Sequence, residues 1–165
     1  MKKFLKSTIY RHFFKPLFWR IFSKYRNNFD IFCFHREVPK EKFDQLTYEE
    51  KEFAVTTDFF DSFLSFASSR YKFCSLDYGI SNLKTNNLLC HITFDDGYKD
   101  NLDYALPILK KFNVPATIYI ADGIIDRKHL LLNHMCTSKI DEFLTWSDVK
   151  KLDADELIEI GGHTS

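Results

Sequence analysis

Apolar and polar positions along the chain alternate between two periods, one suited to strands and one to helices. Residues 88–94 form a short apolar run that includes Ile92 and Thr93 and has neither Gly nor Pro, which predicts a buried strand. Leu102, Ala105, Leu106, Leu109 and Phe112 then recur at helical spacing, with acids at the start of the segment 100–112 and lysines at its end. Residues 30–35 and 115–121 predict further strands, the second apolar throughout, as strands of parallel sheets tend to be. Phe59, Phe60, Phe63, Leu64 and Phe66 supply one face of a helix that Thr57 or Asp58 can cap and that runs to about residue 70. A short strand near 73–76, a short helix near 77–83, a helix over 146–152 capped by Thr145 or Ser147, and a strand over 157–160 ended by Gly161 and Gly162 complete the pattern. Residues 39–56 are charged with little periodicity and predict a loop, and 122–144 carry little signal.

Strands alternating with helices predict an α/β fold with parallel strands, in which functional groups gather at the strands' carboxyl ends. Asp95 and Asp96 stand at such an end, just after the strand 88–94, with Gly97 behind them. Adjacent carboxylates at the end of a buried strand repel each other and raise one another's pKa unless a cation or a shared proton relieves them. Side chains of neighbours in a strand point to opposite faces, so both can serve one site only if the backbone leaves β geometry at the pair, and Gly97 makes that break inexpensive. A plain Asp-Gly turn is the alternative, and the helix that follows weighs against it. His163 ends the last strand, so with parallel strands it opens on the same face as Asp96. An imidazole with a carboxylate suits Zn²⁺ or a similar divalent first-row ion. His163 taken alone also reads as a structural imidazole. His35, after the first strand, reads either as a residue facing the site or as a hydrogen-bonded structural imidazole. His129, His134 and Asp126 match no ligand spacing and read as surface residues.

Residues 92–98, 105–111, 114–120, 144–146 and 160–164, in that order, resemble the polysaccharide deacetylase family with the nodulation-type deacetylase domain, carbohydrate esterase family four. The resemblance covers roughly residues 30–165. It implies a distorted (β/α) barrel, truncated before its final strands, and a metal-dependent hydrolase that removes N-acetyl groups from a carbohydrate. By resemblance Asp95 is the catalytic base, while Asp96 and His163 are metal ligands, with Zn²⁺ first among the candidate ions. The family's second metal histidine would fall at position 167, past Ser165, as would its later motifs. With two of the usual three protein ligands, the expectation for this chain is weak metal affinity and negligible turnover. A catalytically dead remnant that binds a membrane or partner is one alternative. A hydrolase of other carbon–nitrogen bonds on the same scaffold is another.

At 165 residues and 45% hydrophobic content the chain holds one domain with a sizeable core. Its formal charge is zero but uneven: residues 1–26 carry eight Lys or Arg and no acid, which leaves 15 bases against 23 acids elsewhere. Residues 1–28 therefore read as a basic amphipathic arm and 29–165 as the partial deacetylase domain. In the arm Ile9, Phe13, Phe14, Leu17, Ile21 and Phe22 recur at helical spacing between bases, with a break at Pro16. It is too interrupted by charge to cross a membrane and lacks the core and cleavage site of a secretory signal. It reads as an interfacial helix on an anionic leaflet, at about 1 kcal/mol per basic residue, or as a helix packed on the domain. No nucleic-acid motif accompanies it. Cys33, Cys74, Cys90 and Cys136 form no C-x-x-C pair and read as reduced small hydrophobes, which with the missing signal favours a cytoplasmic protein, peripheral to the inner membrane if the arm binds lipid.

Overall fold

The computed structural model describes residues 28–126 and 140–163. Residues 1–27 of the basic arm, His129, His134 and Cys136 lie outside the described residues. Four strands form a parallel array in the order β1 (Phe29–Phe34), β5 (Leu89–Phe94), β6 (Ala116–Ile120) and β7 (Ile158–Gly162). The short β4 (Lys72–Phe73) pairs with Leu89 and Cys90, so it shares with β6 the edge of β5 that faces away from β1. A separate parallel pair joins β2 (Arg36–Val38) to β3 (Ala54–Thr56). All pairings within the main sheet are parallel; Phe34, Phe94, Ile118 and Ile160 stand level, and β6 and β7 run two residues further, to Ile120 and Gly162, at the same end of the sheet. The side chains that follow, at positions 35, 95 and 163, therefore open on one face. The array is an arc of the expected α/β barrel wall.

The β5 strand is buried at all six positions, and its alternation separates two environments. Ile92 and Phe94 belong to the main core with Phe60 and Leu64 of α3 (Thr57–Ser68), Leu106 and Leu109 of α5 (Leu106–Phe112), and Val149 and Leu152 of α7 (Trp146–Asp153). Phe34, Phe60 and Phe94 meet edge-on or tilted, with ring centroids 5.1–6.1 Å apart. Burying each such side chain contributes about 1.5–3 kcal/mol. On the alternate positions the chemistry is polar: buried His91 makes hydrogen bonds through Nδ1 with the Cys74 carbonyl and through Nε2 with the Thr117 hydroxyl, both at 2.8 Å. Burial holds its pKa below the ordinary imidazole value, against the Cys74 carbonyl and Glu159.

Several local expectations need correction. The span 39–56, expected to be a loop, contains α1 (Lys40–Gln45), α2 (Tyr48–Glu52) and β3. These helices are too short to show periodicity; α2 depends instead on a capping box in which Thr47 Oγ1 accepts from Glu50 N–H and Glu50 accepts from Thr47 N–H. Helix α3 ends at Ser68 and is capped by Thr56, whose hydroxyl accepts from Phe59 N–H. The short α4 (Leu76–Ser81) is capped by Ser75. The helix expected over 100–112 opens as a π turn, Asn101–Ala105, before α5. Pro107 lacks an N–H, so regular α bonding cannot continue through it. Gly161 and Gly162 continue β7 rather than ending it. Gly161 pairs with Tyr119, and a Cβ there would lie 2.4 Å from the Tyr119 ring. The uninformative region contains α6 (Asp122–Ile125) and a 3-10 turn, Ile140–Glu142.

Candidate active site

Phe34 accepts a hydrogen bond from Asp95 N–H at 3.0 Å, which continues the β1–β5 ladder one residue past the strand. The chain then turns sharply: Asp96 has φ 71° and Gly97 φ 70°. The break from β geometry thus falls on Asp96 as well as on the glycine. Left-handed backbone is costly for most L-residues, and Asp is among the few that tolerate it. Its effect is to bring both carboxylates to the same face. Leu144 N–H donates to the Gly97 carbonyl at 2.9 Å, which ties the turn to the segment leading into α7.

His163 arrives from β7. Its N–H donates to the Ile120 carbonyl at 2.9 Å, fixing the residue beside the end of β6. The imidazole then faces both acids, with Nε2 3.8 Å from Asp95 Oδ2 and Nδ1 4.0 Å from Asp96 Oδ1. All three side chains are partly exposed, between 19% and 31%. They are open to solvent and substrate but not fully hydrated. Burial pushes the Asp96 pKa above the ordinary carboxylate range, the charges of His35 and His163 pull it down, and Asp95 pushes it up again. His35, weighed above as structural or facing the site, thus acts electrostatically on Asp96; its ring also packs on Phe53, with centroids 5.4 Å apart.

Two neighbours of the site carried no signal in the sequence. Cys33, read as a small hydrophobe in a strand, is exposed, and its thiol donates to Asp95 Oδ2 at 3.4 Å. Burial pushes that thiol's pKa up, a hydrogen bond with Thr93 lowers it, and Asp95 raises it further. Strand alternation puts Cys33, paired with Thr93, on the polar face rather than in the core. Below the site lies a buried ionic cluster. Arg36 Nε donates to Asp100 Oδ2 at 3.0 Å, Nη1 donates to Glu142 Oε2 at 3.2 Å, and the guanidinium lies 4.6 Å from the Tyr98 ring centroid. An Arg after an aromatic-His pair gave no hint of this; only the fold brings positions 36, 100 and 142 together.

The donor types suit a divalent first-row ion; two bonds of about 2.0–2.2 Å meeting at a tetrahedral angle place their donors about 3.4 Å apart, so Asp96 Oδ1 and His163 Nδ1, 4.0 Å apart, share an ion after closing by about 0.6 Å. With that movement the pair could supply two ligands. Among the described residues no group of three or more His, Cys, Asp and Glu side chains is arranged to hold a metal ion. No helix among them is long and apolar enough to cross a membrane.

A sequence model described as polysaccharide deacetylase matches residues 83–165, half of the chain. The curated relative YxkH of Bacillus subtilis (strain 168), itself named for this family, is 52% identical over 40 residues, which cover 24% of this chain and 14% of the relative. Among solved structures, the de-N-acetylase from Aggregatibacter actinomycetemcomitans aligns with a TM-score of 0.61 at 21% identity, over 82% of this chain and 54% of that one. IcaB from Ammonifex degensii aligns with a TM-score of 0.61 at 19% identity, over 84% and 53% respectively. The chain thus spans about half the length of these structures, and at such identities they establish its fold. With the family match over residues 83–165, which include Asp95, Asp96 and His163, the chain belongs to the polysaccharide deacetylase family.

Proposed function

We propose that this chain carries the opening half of a metal-dependent site for removing N-acetyl groups from a carbohydrate, in which Asp95 takes up a proton and Asp96 and His163 hold a divalent ion, Zn²⁺ first. The observation that carries this reading is the meeting of one imidazole with two carboxylates, at 3.8 and 4.0 Å, where strands β5 and β7 end. When bound, the ion supplies a Lewis acid that polarises an amide carbonyl and lowers the pKa of a bound water toward about 7. Asp95, on the other side of the imidazole from Asp96, is left to accept the proton from the attacking water. The Cys33 thiol donates to Asp95 at 3.4 Å, and His163 faces the same carboxylate at 3.8 Å. Burial raises the Asp96 pKa, and a bound ion would supply the positive charge that offsets this desolvation.

Acetate release from N-acetylchitohexaose by the natural polypeptide supplied with Zn²⁺ tests this assignment. Turnover of the chain is expected to be low, so Zn²⁺ binding is the primary readout: Asp95→Asn should leave it intact while lowering whatever acetate release is present by about 10²–10⁴-fold. A rate untouched by that substitution, or Zn²⁺ binding untouched by Asp96→Asn and His163→Ala alike, would overturn it. The basic segment 1–26 we assign to an anionic membrane surface. Co-sedimentation with vesicles should require anionic lipid, and binding indifferent to lipid charge would end that assignment.

A further inference from the structure

The buried cluster beneath the Asp95–Asp96 turn contains more acceptors than donors. Arg36, Glu37, Asp100 and Asn101 are each at most 2% exposed. Asn101 Nδ2 donates to the His35 carbonyl at 2.9 Å and to Glu37 Oε2 at 3.3 Å, and Arg36 Nε donates to Asp100 Oδ2. Four atoms then have no hydrogen-bond partner among the protein's atoms: the acceptors Glu37 Oε1, Asp100 Oδ1 and Asn101 Oδ1, and the donor Arg36 Nη2. Arg36 Nη2 lies 3.0 Å from Asp100 Oδ2, close enough for charge attraction, but it makes no hydrogen bond there. Three orphan acceptors against one orphan donor is an expensive arrangement for a buried site. Placing one proton on Glu37 Oε1 turns an acceptor into a donor and, with the two N–H of Arg36 Nη2, removes the shortage of donors. A metal cation would satisfy the oxygens but would stand beside the guanidinium, whose charge opposes it.

We infer that Glu37 is held as the neutral acid, a proton-bearing latch joining β2 to the π turn that follows the Asp95–Asp96 pair. Asn101 transmits the effect, because the same amide that meets Glu37 also holds the His35 carbonyl at the end of β1. Burial also raises Asp100, to about 6, but of the two carboxyls in the cluster Glu37 takes the proton because Asp100 has the guanidinium hydrogen bond and a further attraction to Lys42. Burial pushes Glu37 well above its ordinary value, Asp100 adds to this, and Asn101 and Arg36 only partly offset it. Other charged groups reach Glu37 indirectly: Glu142 through Arg36 and Lys42 through Asp100. The facing strand β3 presents Ala54, Val55 and Thr56, none of them ionisable, and on α3 Asp58 is exposed and Asp61 pairs with Lys111. Glu37 is a positioning residue, since it touches neither Asp95 nor Asp96 in this arrangement and acts through Asn101.

The unfolded chain releases the Glu37 proton near the ordinary value of about 4.3, whereas the folded chain keeps it to higher pH. Stability attributable to this group is therefore complete below about pH 4.3 and declines as pH rises toward the folded value, by about tenfold in the folding constant per pH unit. Urea unfolding of the full chain between pH 5 and 8 should show that slope in the unsubstituted protein relative to Glu37→Gln, whose amide is a donor at every pH. Direct observation needs no variant: with ¹³C-labelled Glu carboxyls, one resonance should stay at the protonated position at pH 7. Identical pH slopes in the two proteins would overturn the latch. So would Glu carboxyl resonances that all titrate below about pH 5. Stabilisation by added Na⁺ or Ca²⁺ that disappears in Glu37→Gln would replace the proton with a cation.

Discussion

His163 Nε2 stands 3.8 Å from Asp95 Oδ2 although β6 separates the strands that deliver them. The contact depends on register. β6 pairs with β5 from Ile92↔Ala116 and with β7 from Ala116↔Ile158, so a shift of one residue in either ladder would move one of the two side chains off the shared face.

Asp96 and His163 are expected to be metal donors of similar weight. Asp96→Asn and His163→Ala should each weaken Zn²⁺ binding by at least about tenfold, and the double variant should lose little more, since removing either ligand already undoes the pair. Competition against a chromophoric chelator measures this.

The turn after β5 sets up opposite outcomes at adjacent positions. Gly97→Ala places a Cβ at φ 70°, 3.2 Å from Ile120 Cγ2, and should cost about 1–2 kcal/mol in urea unfolding. Asp96→Gly relieves a left-handed non-glycine residue, so stability should stay within about 1 kcal/mol of the starting protein while metal affinity falls. A large loss of stability in Asp96→Gly would show that its carboxylate, rather than its backbone, matters to the fold.

Arg36→Leu removes the cation between Asp100 and Glu142 and leaves Asp100 buried without its counter-charge. The expected cost is about 3–5 kcal/mol. Adding Asp100→Asn should recover part of that loss, and equilibrium unfolding of the single and double variants checks the coupling.

Asp148 closes the capping box of α7. Burial raises its pKa, but the Thr145 hydroxyl, Lys151 and the Thr145 backbone N–H outweigh this and bring it down to about 2. A depressed carboxylate contributes stability above its unfolded value of about 3.9 and loses it as pH falls toward 2. Asp148→Ala should therefore cost about 1 kcal/mol at pH 7, and thermal unfolding of the two proteins should converge on acidification from pH 4 to 2.

The amino-acid order by itself determined most of the strands and the longer helices, because their apolar periods are set by the backbone repeat and need no tertiary partner to be read. It also determined the candidate acids and histidine, since Asp95-Asp96-Gly97 and His163 stand at the ends of legible strands, and their order with the neighbouring motifs resembles one family. It missed α1, α2 and the π turn, whose formation depends on caps and a proline within a few residues rather than on any repeating pattern. Only the tertiary structure decided that β6 separates β5 from β7 by the width that brings His163 to both acids. The same is true of Cys33, turned toward Asp95 by strand alternation, and of Arg36, Glu37, Asp100, Asn101 and Glu142, which meet in one buried cluster. Each of these contacts joins residues far apart in the chain, and local periodicity carries no information about pairings at that distance.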